Sequence, residues 1–181
     1  DLREKISLFC DVPVEAVIQS TNVDLIYEVP LVFHEQHLDD YILKELDLED
    51  RPASKGKWKE MVERFKDVKG EVTIGLVGKY VSLHDAYLSV TQALTDAGCE
   101  NGYKVKIKWI DSEDIEKDAS ILEGLDGIIV PGGFGSRGTE GMIMASKYAR
   151  ENNVPYFGIC YGMQVALIDI ARNKLGYKLS L

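Results

Sequence analysis

Cys160 stands between Gly158 and Gly162, where a short apolar run over residues 154–159 gives way to a helix-like segment over 162–174. Glycines on both sides of a nucleophile permit the tight turn that lifts a side chain above the end of a sheet. A helix that starts there aims its N-terminal amides at the thiol, which favours the thiolate and any oxyanion formed beside it. The chemistry implied is attack by sulfur on a carbonyl-type carbon. Free cysteines are usually small buried hydrophobes, and that is the reading of Cys10, at the end of an apolar run, and of Cys99, beside Gly98 in a turn. The glycine spacing sets Cys160 apart from them.

A second glycine-rich stretch, Val130-Pro131-Gly132-Gly133-Phe134-Gly135, follows an apolar run. Its backbone amides can approach a ligand with no Cβ in the way, as an oxyanion or carboxamide cradle requires. A glycine-rich turn without a ligand is the alternative, and the position one strand–helix unit before Cys160 favours the cradle. A thiol nucleophile also needs a base to take its proton and return it to the leaving group. The sequence has three histidines, His34, His37 and His84. The first two read as solvated or packed side chains, and His84 falls in a loop that could approach the strand ends. Gly75-Leu76-Val77-Gly78-Lys79-Tyr80 lacks the spacing of a phosphate loop and reads as a strand ending in a tight turn. The acidic runs 47–50 and 111–114 read as solvated faces with no metal-ligand order.

The elements that must position these residues begin at Glu71. Strands are predicted over 72–77, 105–110, 127–130 and 154–159, with helices over 85–96, 140–151 and 162–174. Strands alternating with helices at this spacing predict an α/β fold, a doubly wound, mostly parallel sheet with its site at the carboxyl ends of the strands. Residues 1–48 alternate short apolar runs with turns, including a helix over 38–46, and are too few to close a core alone. The polar stretch 49–56 reads as a linker and 58–68 as an amphipathic helix. The expected division is therefore 1–48, a linker and connecting helix over 49–70, and 71–181.

The 181 residues carry a net charge of −9, with 45% hydrophobic and 28% charged side chains. That is ordinary globular composition, and the acidic balance argues against a nonspecific nucleic-acid partner, which needs a basic surface. Three cysteines without pairing or zinc-like spacing fit a reducing compartment, so the cytoplasm is expected. No apolar run approaches a membrane span or a signal peptide. The first residue is Asp1, which points to a start inside a longer protein.

The pairing of Pro131-Gly132-Gly133-Phe134-Gly135 with Gly158-Ile159-Cys160-Tyr161-Gly162-Met163-Gln164 resembles the class I (triad) glutamine amidotransferases. Within them, Ile74-Gly75-Leu76-Val77-Gly78-Lys79-Tyr80, Asp85-Ala86-Tyr87 and Ala149-Arg150-Glu151-Asn152-Asn153 are similar to the CTP synthase family. So are Leu8-Phe9-Cys10-Asp11-Val12-Pro13, Ile26-Tyr27-Glu28-Val29-Pro30 and Leu38-Asp39-Asp40-Tyr41, and the resemblance runs to about residue 170. It implies the tail of a P-loop-type α/β synthetase domain followed by the first half of a glutaminase domain. The family aminates UTP to CTP with ATP and magnesium, takes ammonia from glutamine, responds to GTP as an allosteric activator and forms a cytoplasmic homotetramer.

By that resemblance, Cys160 attacks the glutamine carboxamide, and the backbone amides of Gly133 and Tyr161 form the oxyanion hole. Tyr161, Gly162, Met163 and Gln164 line the glutamine pocket. Lys5 matches a basic residue of the UTP and CTP site, where without the resemblance it would read as a surface lysine, and Thr21, Asn22 and Val23 match the run that touches the ATP base. No metal ligand is assigned. Tyr161 stands where the family usually has Leu, Asn22 where Asp is common, His37 where Gly is common and His84 where Pro is common. The family's triad His and Glu, its phosphate loop and its magnesium carboxylates match nothing here, so the chain is expected to hydrolyse little or no glutamine. The other readings are a noncatalytic assembly or regulatory module, and an unrelated cysteine hydrolase with His84 as base.

Overall fold

A computed structural model describes residues 1–49 and 55–178. The chain divides into two compact units, Asp1–Lys66 and Asp67–Leu181.

In the first unit, helix α1 spans Leu2–Cys10. Its start is a capping box: the Asp1 carboxylate accepts from the Glu4 amide at 3.0 Å while Glu4 reaches back to residue 1. Helices α2 (Val29–Glu35), α3 (Leu38–Glu45) and α4 (Lys55–Lys66) follow, α2 with proline in its first turn, where a missing amide hydrogen does no harm. Helices α1, α2 and α3 bury no residue. The tightest packing lies around Val62 of α4 and an aromatic group in which Tyr27 meets Trp58 edge-on and tilts against Phe65. Trp58 Nε1 donates to the Tyr27 carbonyl at 2.8 Å, and Lys66 pairs with Glu28. Cys10, expected to pack, is exposed at the end of α1, because the few surrounding elements leave that face uncovered. Most of the linker read over 49–56 lies outside the described residues.

The second unit is a four-stranded parallel sheet in the order β2-β1-β3-β4. Its strands are β1 (Gly70–Gly78), β2 (Tyr103–Asp111), β3 (Gly127–Val130) and β4 (Tyr156–Gly158). Register is fixed by pairs such as Leu76 with Trp109, Leu76 with Ile129 and Val130 with Gly158. Successive strand residues point to opposite faces, and both faces are apolar, as a sheet covered on both sides requires. Val77, Ile128 and Val130 join one core with Ile115, Met142, Ala145, Ala149 and Val165. Leu76 and Ile129 join the other with Tyr87, Val90, Leu94 and Trp109. Helix α5 (Leu88–Asn101) thus covers one face, and α6 (Ser112–Lys117), α7 (Thr139–Glu151) and α8 (Tyr161–Asp169) cover the other. The fold class is the α/β arrangement the strand–helix alternation predicts.

Three local differences have physical causes. The acidic run 111–114 is the start of α6: the Asp111 carboxylate caps the Glu113 amide at 2.9 Å, and acidic residues in a first turn favour the helix dipole. Cys99 is buried within α5, not in a turn, because the helix continues to Asn101 and stops on Gly102 at φ 75°. The helix expected over 162–174 passes into a π-helical turn, Ile170–Lys174, where Asn173 bonds the buried Asp169 at 3.0 Å.

Candidate functional site

Strand order reverses between β1 and β3: the chain leaves β1 for β2 on one side, then returns to β3 on the other. Sites of such sheets lie outside the carboxyl ends of the strands at that reversal. Three segments emerge there: Lys79 after β1, the glycine turn after β3 and Cys160 after β4.

Cys160 occupies the N-cap position of α8 with φ 54° and ψ −104°. A non-glycine residue in that region is strained, and the surroundings hold it there. Ile159 N donates to the Val130 carbonyl at 2.9 Å, Gly162 N to the Ile159 carbonyl at 2.9 Å, and Gln164 N to the Cys160 carbonyl at 3.3 Å. The flanking glycines are required by close approach. A Cβ on Gly158 would enter the Gly162 backbone, and one on Gly162 would enter the Val130 carbonyl. Tyr156 closes the arrangement by donating its hydroxyl to the Gly162 carbonyl at 2.7 Å, and burial pushes that phenol well up from its ordinary range. The thiol itself is exposed. The elbow read from the sequence is therefore present as a strained, solvent-facing cysteine at the head of a helix.

The glycine turn lies against it. A Cβ on Gly132 would sit 3.7 Å from Cys160 Cβ, and one on Gly133 would sit 3.4 Å from Lys79 Cδ. Gly162 is buried in the elbow, Met163 and Gln164 are exposed on the first turn of α8, and Tyr161 is half-buried. The Tyr161 hydroxyl and Thr139 Oγ1 are 2.7 Å apart in a hydrogen bond.

Lys79 was missed by sequence reasoning. It is 3% exposed, and its ammonium donates to the carbonyls of Phe134, at 3.2 Å, and Gly135 while standing 4.6 Å from the Tyr161 ring centroid. Burial, and then the neighbouring Arg137 charge, pull its pKa down. Arg137 in turn donates to the Lys79 carbonyl and pairs with Glu113 at 2.6 Å. The available signal was a lysine one residue beyond a fully apolar strand end, where a buried charge needs a specific partner.

His84 does not reach the thiol. It stacks on Trp109 of β2 with ring centroids 4.0 Å apart, and β2 is the edge opposite β4. Three strand spacings amount to about 14 Å. The cysteine-hydrolase reading with His84 as base loses its geometry on this ground. In the first unit, His34 Nδ1 bonds Asp39 at 2.7 Å and His37 Nδ1 bonds Asp40 at 2.8 Å.

The remaining candidate residues also lie in the first unit. Lys5 is exposed on α1, Thr21 and Asn22 are exposed in an irregular segment, and Val23 forms part of the wall of an open cleft of about 300 Å³ with Leu31, Val32 and Val62. Among the described residues, no cluster of three or more His, Cys, Asp or Glu side chains could hold a metal ion. No described helix is long and apolar enough to cross a membrane.

A strained cysteine at a strand–helix elbow beside a glycine turn is the nucleophile site of a known class, and residues 82–178 match the family model of glutamine amidotransferase class-I. The chain belongs to that family. Residues 1–48 match the model of the CTP synthase N-terminus. Over 178 residues, 97% of its length, the chain is 52% identical to the CTP synthase of Clostridium acetobutylicum, and over 180 residues it is 54% identical to that of Carboxydothermus hydrogenoformans. These matches carry the likeness beyond residue 170. The chain spans about a third of the length of these curated relatives, 33% and 34%. A solved structure, the glutaminase domain of Trypanosoma brucei CTPS with bound acivicin, is similar at a TM-score of 0.55 and 42% identity, covering 59% of this chain and 42% of that one.

Proposed function

We propose that Cys160 is the nucleophile of a glutaminase that supplies ammonia to a CTP synthase reaction. The observation that carries this is the cysteine backbone at φ 54°, ψ −104° on the head of α8, against the glycine turn. The sulfur would add to the glutamine side-chain carboxamide carbon. The carbonyl oxygen, now an oxyanion, would face the amides of Gly133 and Tyr161, and Gly162, Met163 and Gln164 would border the substrate. Collapse breaks the C–N bond, the nitrogen leaves as ammonia after taking a proton, and water cleaves the resulting thioester to glutamate. His84 stacks on Trp109 three strands from the thiol and the triad His and Glu of the resembled family match nothing in this sequence, so the chain by itself is expected to turn over little glutamine, because members of a catalytic triad act as a unit.

The likeness of residues 1–48 to the CTP synthase N-terminus supports the remainder of the reading. In it, residues 1–48 are the last part of a synthetase domain, 49–70 connect, and 71–181 begin the glutaminase domain. The product ammonia aminates UTP to CTP with ATP and magnesium, GTP activates, and the enzyme is a cytoplasmic homotetramer. Lys5 serves the UTP and CTP site, and Thr21, Asn22 and Val23 the ATP base, Val23 already being in a cleft wall. The described residues offer magnesium no donor set, so no step is assigned to it here.

Acivicin, seen bound in the T. brucei glutaminase domain, supplies the test. Incubated with this chain it should label Cys160, by peptide mass mapping, and the label should vanish in Cys160→Ala, while glutamine turnover stays orders of magnitude below that of an intact triad enzyme. Absence of any Cys160 adduct refutes the glutaminase reading, and rapid glutamine turnover refutes the expectation that this chain by itself is nearly inactive.

A further inference from the structure

We propose that Lys79 is a positioning residue of the thiol site, a clamp that holds the glycine turn against the elbow. A lysine that is 3% exposed is costly to bury unless the donors of its ammonium are satisfied. No carboxylate is bonded to Lys79 among the described residues; its partners are the Phe134 and Gly135 carbonyls and the face of Tyr161. Those partners sit on the two segments that must meet. A Cβ added to Gly133 would meet the Lys79 stem at 3.4 Å and the ammonium stands 4.6 Å from the Tyr161 ring centroid, so one side chain lies beside both residues whose amides would receive the oxyanion. Turning two successive carbonyls toward one cation fixes the 134–135 and 135–136 peptide planes and so limits how far the turn that carries Gly133 can rotate.

Tyr161 is the second half of the clamp. Its ring supplies the π face, and its hydroxyl is tied to Thr139, the first residue of α7. The leucine usual at this position in the resembled family could offer neither contact. This half of the clamp therefore depends on Tyr161.

The proposal rests on Cys160 being the glutamine-attacking thiol, and its test separates the two. On the 181-residue chain, kinact and KI are measured for acivicin, whose reaction needs the cradle, and the second-order rate for iodoacetamide, whose reaction does not. Lys79→Met should lower the acivicin kinact about tenfold while changing the iodoacetamide rate less than twofold, and Lys79→Arg should recover part of the loss. Tyr161→Leu, which removes both the ring under the ammonium and the hydroxyl bonded to Thr139, should lose several-fold on acivicin. Equal losses on both reagents, or no loss, overturn the clamp. If Lys79→Met fails to fold by circular dichroism, Tyr161→Leu decides. Should acivicin not label the parent chain, the glutaminase reading fails and the clamp is judged by hydrogen exchange alone: amides of residues 132–135 should exchange several-fold faster in Tyr161→Leu, and unchanged exchange refutes it.

Discussion

Gly162 and Gly56 meet opposite demands that composition alone cannot tell apart. Gly162 lies where a Cβ would enter the Val130 carbonyl, a backbone atom that cannot rotate away, whereas Gly56, in the exposed first turns of α4, has nothing within 4 Å. Gly162→Ala should therefore destabilise the second unit by about 1–3 kcal/mol, the range of overpacked sites. Gly56→Ala should stabilise the first by up to about 0.5–1 kcal/mol, since alanine in the first turn of a helix loses less backbone entropy on folding than glycine. Urea unfolding followed by circular dichroism checks both, and a neutral Gly162→Ala would show that the elbow relaxes more than its contacts allow. At this scale Cys160, Gly158 and Gly162 were legible because a nucleophile turn has a local pattern. Lys79 was not, because its partners lie 55 and more residues away and only the parallel register brings them together.

Helix α8 carries the thiol at its head, and its far end is tied to α7 by a buried carboxylate. Asp169, 1% exposed, accepts from Arg150 Nε at 3.1 Å and from a second Arg150 nitrogen at 3.0 Å, from Ser146 at 3.3 Å and from Asn173 at 3.0 Å. Burial alone would raise this carboxyl, but the hydrogen bonds and charge of Arg150, with Asn173 and Ser146, bring it below the usual range. A carboxyl depressed in the folded state adds stability above its unfolded pKa, about 3.9, and loses it as pH falls through the folded value. The parent should thus lose stability between about pH 5 and pH 2 more steeply than Asp169→Asn, which should itself be weaker at pH 7 by on the order of 2 kcal/mol, Arg150 being partly exposed. Parallel pH slopes in thermal melts of the two proteins would remove Asp169 from this role. Element types were readable here because apolar strands and amphipathic helices have distinct periods. What escaped was α6, whose signal is a cap rather than a period, and the end of α8, which passes into a π-helical turn over Ile170–Lys174.

Across the whole molecule the two units differ in how much apolar surface each encloses. In the second, two clusters on opposite faces of the sheet hold a dozen or more buried side chains. In the first, Val62 is the buried hydrophobic residue among those described, while Leu2, Leu8, Phe9 and Ile26 are exposed, Phe9 at 86%. A segment of this size encloses too little to offset its conformational entropy by a wide margin. The alternation of short apolar runs and turns already indicated this, since it gave no strand or long helix against which α1 could pack. Local stability follows buried contacts, so amide protection should follow them as well. Hydrogen exchange read by mass spectrometry should show residues 1–49 exchanging at least tenfold faster than β1 and β3, and unfolding at lower urea than the sheet. Equal protection in both units would mean that the exposed apolar side chains of α1 are covered in solution, by a second copy of the chain or another partner, and sedimentation velocity across a concentration series would then show the self-association that a second copy requires.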